Sequence, residues 1–177
     1  MNTHPRAGWG LLLAAGIGLN ACARPAAPAT EANVAPGAPQ AQIASAVASP
    51  HVLVHKDPMC GCCGLWVDHL RKAGFEVEVR NEANLNPLKE KLGIPASKGS
   101  CHTAEVGGYV IEGHVPAEDI RRLLAEKPDA RGLTVPGMPA GSPGMEVPNG
   151  HVQAYAVELI ARDGSTRPFA VHGENSP

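Results

Sequence analysis

Met59-Cys60-Gly61-Cys62-Cys63-Gly64-Leu65-Trp66 gathers three of the five cysteines of this 177-residue chain into one short segment. Just before it, His51-Val52-Leu53-Val54-His55 is an apolar run held between Pro50 and Asp57-Pro58, a strand signal. Just after it, Leu65, Trp66, Leu70 and Ala73 recur at helical spacing, and Gly74 is placed to end the helix. The cysteines therefore fall at a strand-to-helix junction. A helix that begins there points free N–H groups and the positive end of its dipole at them, which favours thiolate over thiol. Thiolate both attacks disulfides and binds metals, so the junction alone does not choose between exchange and coordination. The number of sulfurs bears on that choice. A dithiol exchanger needs Cys60 and Cys63, in C-x-x-C spacing. It has no use for Cys62, nor for Cys101 in Ser100-Cys101-His102-Thr103.

Outward from the junction, Phe75, Val77 and Val79 alternate with Glu76, Glu78 and Arg80 as a half-buried strand. Asn86-Pro87 opens a second helix carrying Leu88 and Leu92, stopped by Gly93 and Pro95. Residues 101–106 and 109–112 flank Gly107-Gly108, a hairpin signal. Pro116 opens a third helix, with Ile120, Leu123 and Leu124 on one face and Pro128 beyond its end. Val152 to Ala161 and Thr166 to Val171, joined at Asp163-Gly164, suggest a last hairpin. The five Gly and four Pro in residues 132–150 argue against a helix or an interior strand there. This order, a βαβ unit followed by ββα, is the layout of a thioredoxin-like α/β domain, a mixed sheet flanked by helices. About 120 residues suffice for one such core. In that layout the loop ahead of the hairpin faces the junction, so Cys101 is expected opposite Cys60–Cys63.

The N-terminal 50 residues read differently. Residues 1–23 have the form of an export leader, with Arg6 as the early positive charge and a short apolar run from Gly8 to Leu19. Leu19-Asn20-Ala21-Cys22 resembles a lipobox, which makes Cys22 the lipidation candidate. Cleavage after Ala21-Cys22-Ala23 is the alternative, and both routes export the chain. Residues 24–50 are rich in Ala and Pro, with Arg24 and Glu31 the only charges, and are expected to be a disordered tether. The folded domain is expected over 51–172. The formal charge is −2, or −3 without a leader that carries Arg6 and no acid, which argues against a nucleic-acid surface.

With Cys22 assigned to the leader, four thiols remain. Adjacent cysteines make poor structural staples, because tiny rings constrain little of the unfolded chain. The cluster is better read as metal ligands or exchangeable thiols. Four convergent sulfurs at Cys60, Cys62, Cys63 and Cys101 suit Cu(I) or Zn, and bridging thiolates can hold more than one soft ion. Beyond the initiator, the methionines are Met59, Met138 and Met145, all in expected loops. With His102 and His114 they are candidates either to ligate or to support the ligands, and loop methionine leans towards copper. Residues 132–150 are a candidate lid over the site. His69, about two turns along the first helix, is expected on a solvated face, and His55 is a weaker site candidate. His51, His151 and His172 are expected at the surface.

Four blocks carry a resemblance to a known family: Cys60-Gly61-Cys62-Cys63-x-x-Trp66, Ser100-Cys101-His102-Thr103, Gly107 to Pro116, and Gly132 to Glu146. Together they resemble the CopG-type proteins, long catalogued as a domain of unknown function and tied to bacterial copper resistance. The resemblance covers about residues 51–172. It implies a thioredoxin-like fold in the periplasm that binds copper through its cysteine motif, and Cys60, Cys62, Cys63 and Cys101 all match. The expected cargo is thus copper, held as Cu(I) and in more than one ion, with other copper-handling proteins of the envelope as partners and a membrane contact only through a lipid on Cys22. The chain reads as a binding module rather than a catalyst, with a redox role toward copper or thiols left open. Two alternatives stand beside this reading: a thiol–disulfide oxidoreductase using Cys60 and Cys63, and a structural zinc or other soft-metal site.

Overall fold

The computed structural model describes residues 49–173. The leader, Cys22 and nearly all of the tether lie outside the described residues. The first strand, β1, covers His51–Lys56, and helix α1 follows at Gly61–Lys72. Strand β2, Glu76–Asn81, returns parallel to β1, with His51 opposite Glu76 and Lys56 opposite Asn81. Between α1 and β2, Gly74 takes φ +85°, a left-handed turn that a side chain would strain.

Helix α2, Asn86–Leu92, ends at Gly93 in the same left-handed conformation, and a 3-10 turn at Ala96–Lys98 leads to Cys101. The hairpin is β3, His102–Val106, and β4, Tyr109–Glu112, turning on Gly107 and Gly108, both with positive φ. Helix α3, Ala117–Glu126, opens after Pro116 with Glu118 and Asp119 in its first turn, where carboxylates complement the helix dipole. Three further strands complete the sheet: β5 at Gly132–Thr134, β6 at Tyr155–Ile160 and β7 at Thr166–His172. The order across the single seven-stranded sheet is β2-β1-β3-β4-β5-β6-β7. Two pairs, β1–β2 and β4–β5, are parallel and the rest antiparallel, so the mixed α/β reading holds.

Trp66, Val67 and Leu70 of α1 and Ile120 and Leu123 of α3 form one apolar cluster with Val52, Val54, Ala104, Ile111, Leu133 and Val157 of the sheet. Each large side chain so buried contributes about 1.5–3 kcal/mol of transfer free energy. No helix among the described residues is long and apolar enough to cross a membrane.

Two expectations are corrected here. Gly and Pro content argued against an interior strand in 132–150, yet β5 lies between β4 and β6. Its first residue explains how: a Cβ on Gly132 would sit 1.7 Å from the Val110 carbonyl oxygen. Glycine there permits the close pairing of β5 with β4. Gly132→Ala must push the two strands apart and is expected to cost about 3 kcal/mol in urea denaturation. The last hairpin also begins later than Val152. Residues ahead of Tyr155 are tied to the preceding loop instead, where the Gln153 N–H donates to the Ala140 carbonyl at 2.9 Å.

Candidate metal centre

The cysteine loop is shaped by Asp57. Its side-chain Oδ1 accepts the Met59 N–H at 2.7 Å, and its backbone carbonyl accepts the Cys60 N–H at 3.1 Å. The turn places Cys60 as the N-cap of α1 and Cys62 and Cys63 in the first helical turn. Cys60 and Cys63 form a disulfide, while Cys62 and Cys101 carry free thiols. The Cys62 sulfur lies 3.5 Å from that of Cys60, and the fully buried Cys63 sulfur lies 3.9 Å from the Cys101 carbonyl oxygen. As the topology predicts, Cys101 enters from the loop ahead of β3, and the four sulfurs all fall within 4.8 Å of one another.

Two imidazoles extend the cluster. Cys101 Sγ lies 3.2 Å from His114 Nε2 and 3.4 Å from His102 Nδ1, so Cys101, His102 and His114 form a second compact donor group. His114 Nδ1 donates to the Pro143 carbonyl at 2.8 Å, which fixes the tautomer and turns the Nε2 lone pair toward the sulfur. The His102 ring stacks 4.4 Å from Trp66 and meets His114 edge-on at 4.9 Å. Its Nε2 is buried without a hydrogen-bond partner. Trp66 is fully buried, donates to the Val115 carbonyl at 2.9 Å, and both packs the core and shields the histidine.

The electrostatics suit a soft cation. Burial, reinforced by His114 and Lys89, lowers His102 to about 3, and burial lowers His114 as well. Both rings are therefore neutral donors near pH 7. Burial and the neighbouring Cys62 push the Cys101 thiol up to about 11. The thiolate-favouring N–H groups of α1 belong to the other segment, so Cys101 keeps its proton until something displaces it.

Residues 132–134 are strand β5, and the segment that follows it reaches this group through Gly137, Pro143 and Gly144. The Pro143 carbonyl holds His114, Ser142 is fully buried, and the Gly137 carbonyl accepts from Ser100 Oγ at 2.5 Å. A Cβ on Gly144 would meet the Cys62 carbonyl at 2.7 Å and the Trp66 nitrogen at 2.8 Å, so this strap rests directly on the first turns of α1. Met138 and Met145 belong to this strap and Met59 to the cysteine loop. Met59 and Met138 are 89% and 53% exposed, which removes a core-filling role for these two, and Met145 is half-buried.

Other histidines are placed elsewhere. His55 is buried between Glu82, at 2.5 Å, and Glu105, at 3.5 Å. His69 is half-buried rather than solvated: its Nε2 accepts the Ala117 N–H at 3.1 Å and so caps α3 from α1. His172 is not a free surface residue either, since it pairs with Asp119 at 2.6 Å and stacks on Tyr155. Sequence reasoning missed Glu112, Lys89 and the Pro143 carbonyl. A charged residue ending the apolar run Tyr109-Val110-Ile111 was the available signal for Glu112. A backbone carbonyl leaves none.

A thioredoxin-like sheet with a Cys–His cluster at its first strand-to-helix junction defines a thiol or soft-metal protein. The family described as "Protein of unknown function, DUF411" matches residues 98–145. Two solved structures, forms 1 and 2 of a copper resistance protein CopG, are each 44% identical with a TM-score of 0.67, and cover 71% of this chain and 99% of theirs. No curated protein sequence matches. The chain belongs to the DUF411 family, together with the copper resistance protein CopG.

Proposed function

We propose that the chain is an envelope copper-binding protein that holds Cu(I), in more than one ion, for copper resistance or homeostasis. The observation that carries this reading is the convergence of four cysteine sulfurs within 4.8 Å, extended through Cys101 by two neutral imidazoles. The donor set fits: thiolate and imidazole are copper ligands, and clustered thiolates bridge soft ions. Reducing the Cys60–Cys63 disulfide would free all four sulfurs as ligands, Cys101 being common to both donor groups. The 44% identity to a copper resistance protein supports the choice of metal. Metal content and sulfur–metal X-ray absorption of protein from copper-supplemented cells test it. Copper with sulfur neighbours is expected. Zinc in its place would favour the structural-metal reading instead.

Because Cys101 holds its proton up to about pH 11, binding must release it. The sign follows: each unit of pH increase removes a tenfold cost of proton displacement. Apparent Cu(I) affinity should therefore rise at least about tenfold per unit between about pH 6 and pH 8. His102, lowered to about 3, adds no release in that window. Competition titrations across the range measure the slope, and a flat profile would contradict the assignment of Cys101.

A second reading is favoured by one observation, the Cys60–Cys63 disulfide at a helix N-terminus. It is thiol–disulfide exchange. Insulin reduction that depends on Cys60 and Cys63 but ignores Cys62 and Cys101 would favour it.

Export belongs to the same proposal and rests on the leader sequence and Cys22. Labelled palmitate incorporated by the full chain and lost in Cys22→Ala would support a lipoprotein facing the periplasm, where copper-handling partners of the envelope would meet it.

A further inference from the structure

Glu112 ends β4 with a side chain that is fully buried, yet neither donor group includes it. Both carboxylate oxygens are engaged. Oε1 accepts from Lys89 Nζ and, at 2.5 Å, from the Ser100 backbone N–H. Oε2 accepts from Thr103 Oγ1 at 2.7 Å, and Thr103 Oγ1 in turn accepts from Lys89 Nζ at 2.8 Å. Ser100 and Thr103 stand immediately on either side of Cys101-His102. One carboxylate thus grips the chain on both sides of the sulfur and the imidazole that enter the cluster.

We propose that Glu112 is a positioning residue that holds the Cys101–His102 segment against the metal centre, with Lys89 as its counter-charge. This goes one step beyond the copper reading and rests on it only for its consequence, the geometry of the metal ligands. A buried ion pair is weak evidence for stability, since apolar residues of similar volume often serve as well. Here an apolar residue at 112 would leave the Ser100 N–H without its carboxylate acceptor and the Lys89 ammonium with the Thr103 hydroxyl but no counter-charge. The packing leaves no slack. Gly113 has φ +74°, and a Cβ on it would lie 2.7 Å from the Ser100 side chain and 2.5 Å from the Val135 carbonyl. Ser100 Oγ also donates to the Gly137 carbonyl, so the grip on the loop continues into the strap that carries Pro143.

A mere brace for the fold predicts uniform loosening, whereas a positioning residue predicts loosening at Cys101 in particular. Cys62, held by α1, is the internal control in the same molecule. The full chain is reduced, freed of metal and pulsed with iodoacetamide, and the ratio of Cys101 to Cys62 alkylation is read by mass spectrometry. Glu112→Gln should raise that ratio about tenfold, the increase in local opening that follows loss of a charge-assisted hydrogen bond. Thr103→Val, which removes one hydroxyl at nearly constant shape, should raise it less, and Cu(I) retention should fall in the same order. Should Glu112→Gln fail to fold, Thr103→Val carries the test. An unchanged ratio in the folded variants, whatever their thermal stability, would overturn the proposal. The alkylation arm contains no copper. Failure of the wild-type chain to bind Cu(I) would therefore sink the copper reading and leave the clamp separately measured.

Discussion

Cys101→Ser is expected to leave the fold intact and to weaken Cu(I) retention by more than about 100-fold, since loss of a ligand's supporting partner alone typically costs 10–100-fold. The reason lies in its place. Cys60, Cys62 and Cys63 belong to one donor group and His102 and His114 to the other, while Cys101 belongs to both. Removing it leaves three sulfurs on one side and two imidazoles on the other, with no shared atom. Serine nearly conserves the volume and replaces a soft donor by a hard one that binds Cu(I) poorly. The half-buried site tolerates the hydroxyl because Ser100 Oγ and the two ring nitrogens lie nearby. Circular dichroism should therefore be unchanged while chelator competition shows the loss. His51→Ala, at an exposed strand end, should behave as wild type.

Gly144→Val is expected to have the largest effect outside the ligands. Gly144 has φ +84°, and the atoms a Cβ would meet are backbone atoms of Cys62 and Trp66, which cannot swing aside. A branched residue in left-handed conformation costs about 1–3 kcal/mol by itself, and the clash adds to it. The strap can relieve both only by lifting from α1. Lifting withdraws the Pro143 carbonyl from His114 and frees the imidazole to rotate away from Cys101. The expected result is a loss of stability of roughly 2–6 kcal/mol in total, read as a lower urea midpoint, together with faster alkylation of Cys62. An unchanged midpoint and alkylation rate would mean that the strap does not rest where Gly144 places it.

The first four strands and the three helices were readable because each is short, periodic and punctuated. The run Val52–Val54, the alternation at Val77 and Val79 and the face of Ile120 and Leu123 are signals of local origin, and the glycines at 74, 93, 107 and 108 fall at the turns they announce. Strand β5 was not readable. Gly132 is present because another backbone approaches it, a tertiary fact that looks like a turn residue in one dimension. His69 misled for a related reason: its partner, the Ala117 N–H, is 48 residues away. At the site, the cysteines announced themselves by spacing, and Cys101 by its place in the topology. The network of Glu112, Lys89, Ser100 and Thr103 did not, because its members come from four segments and each alone is an ordinary polar residue.

The central claim is that four cysteines and two histidines form one soft-metal site. Anaerobic titration of Cu(I) into the fully reduced chain, against a colourless competing chelator and followed by the sulfur-to-copper absorption in the ultraviolet, tests it most directly. The chain should withdraw more than one equivalent of copper from the chelator, and Cys101→Ser should withdraw far less. Retention of all the copper by the chelator would contradict the account.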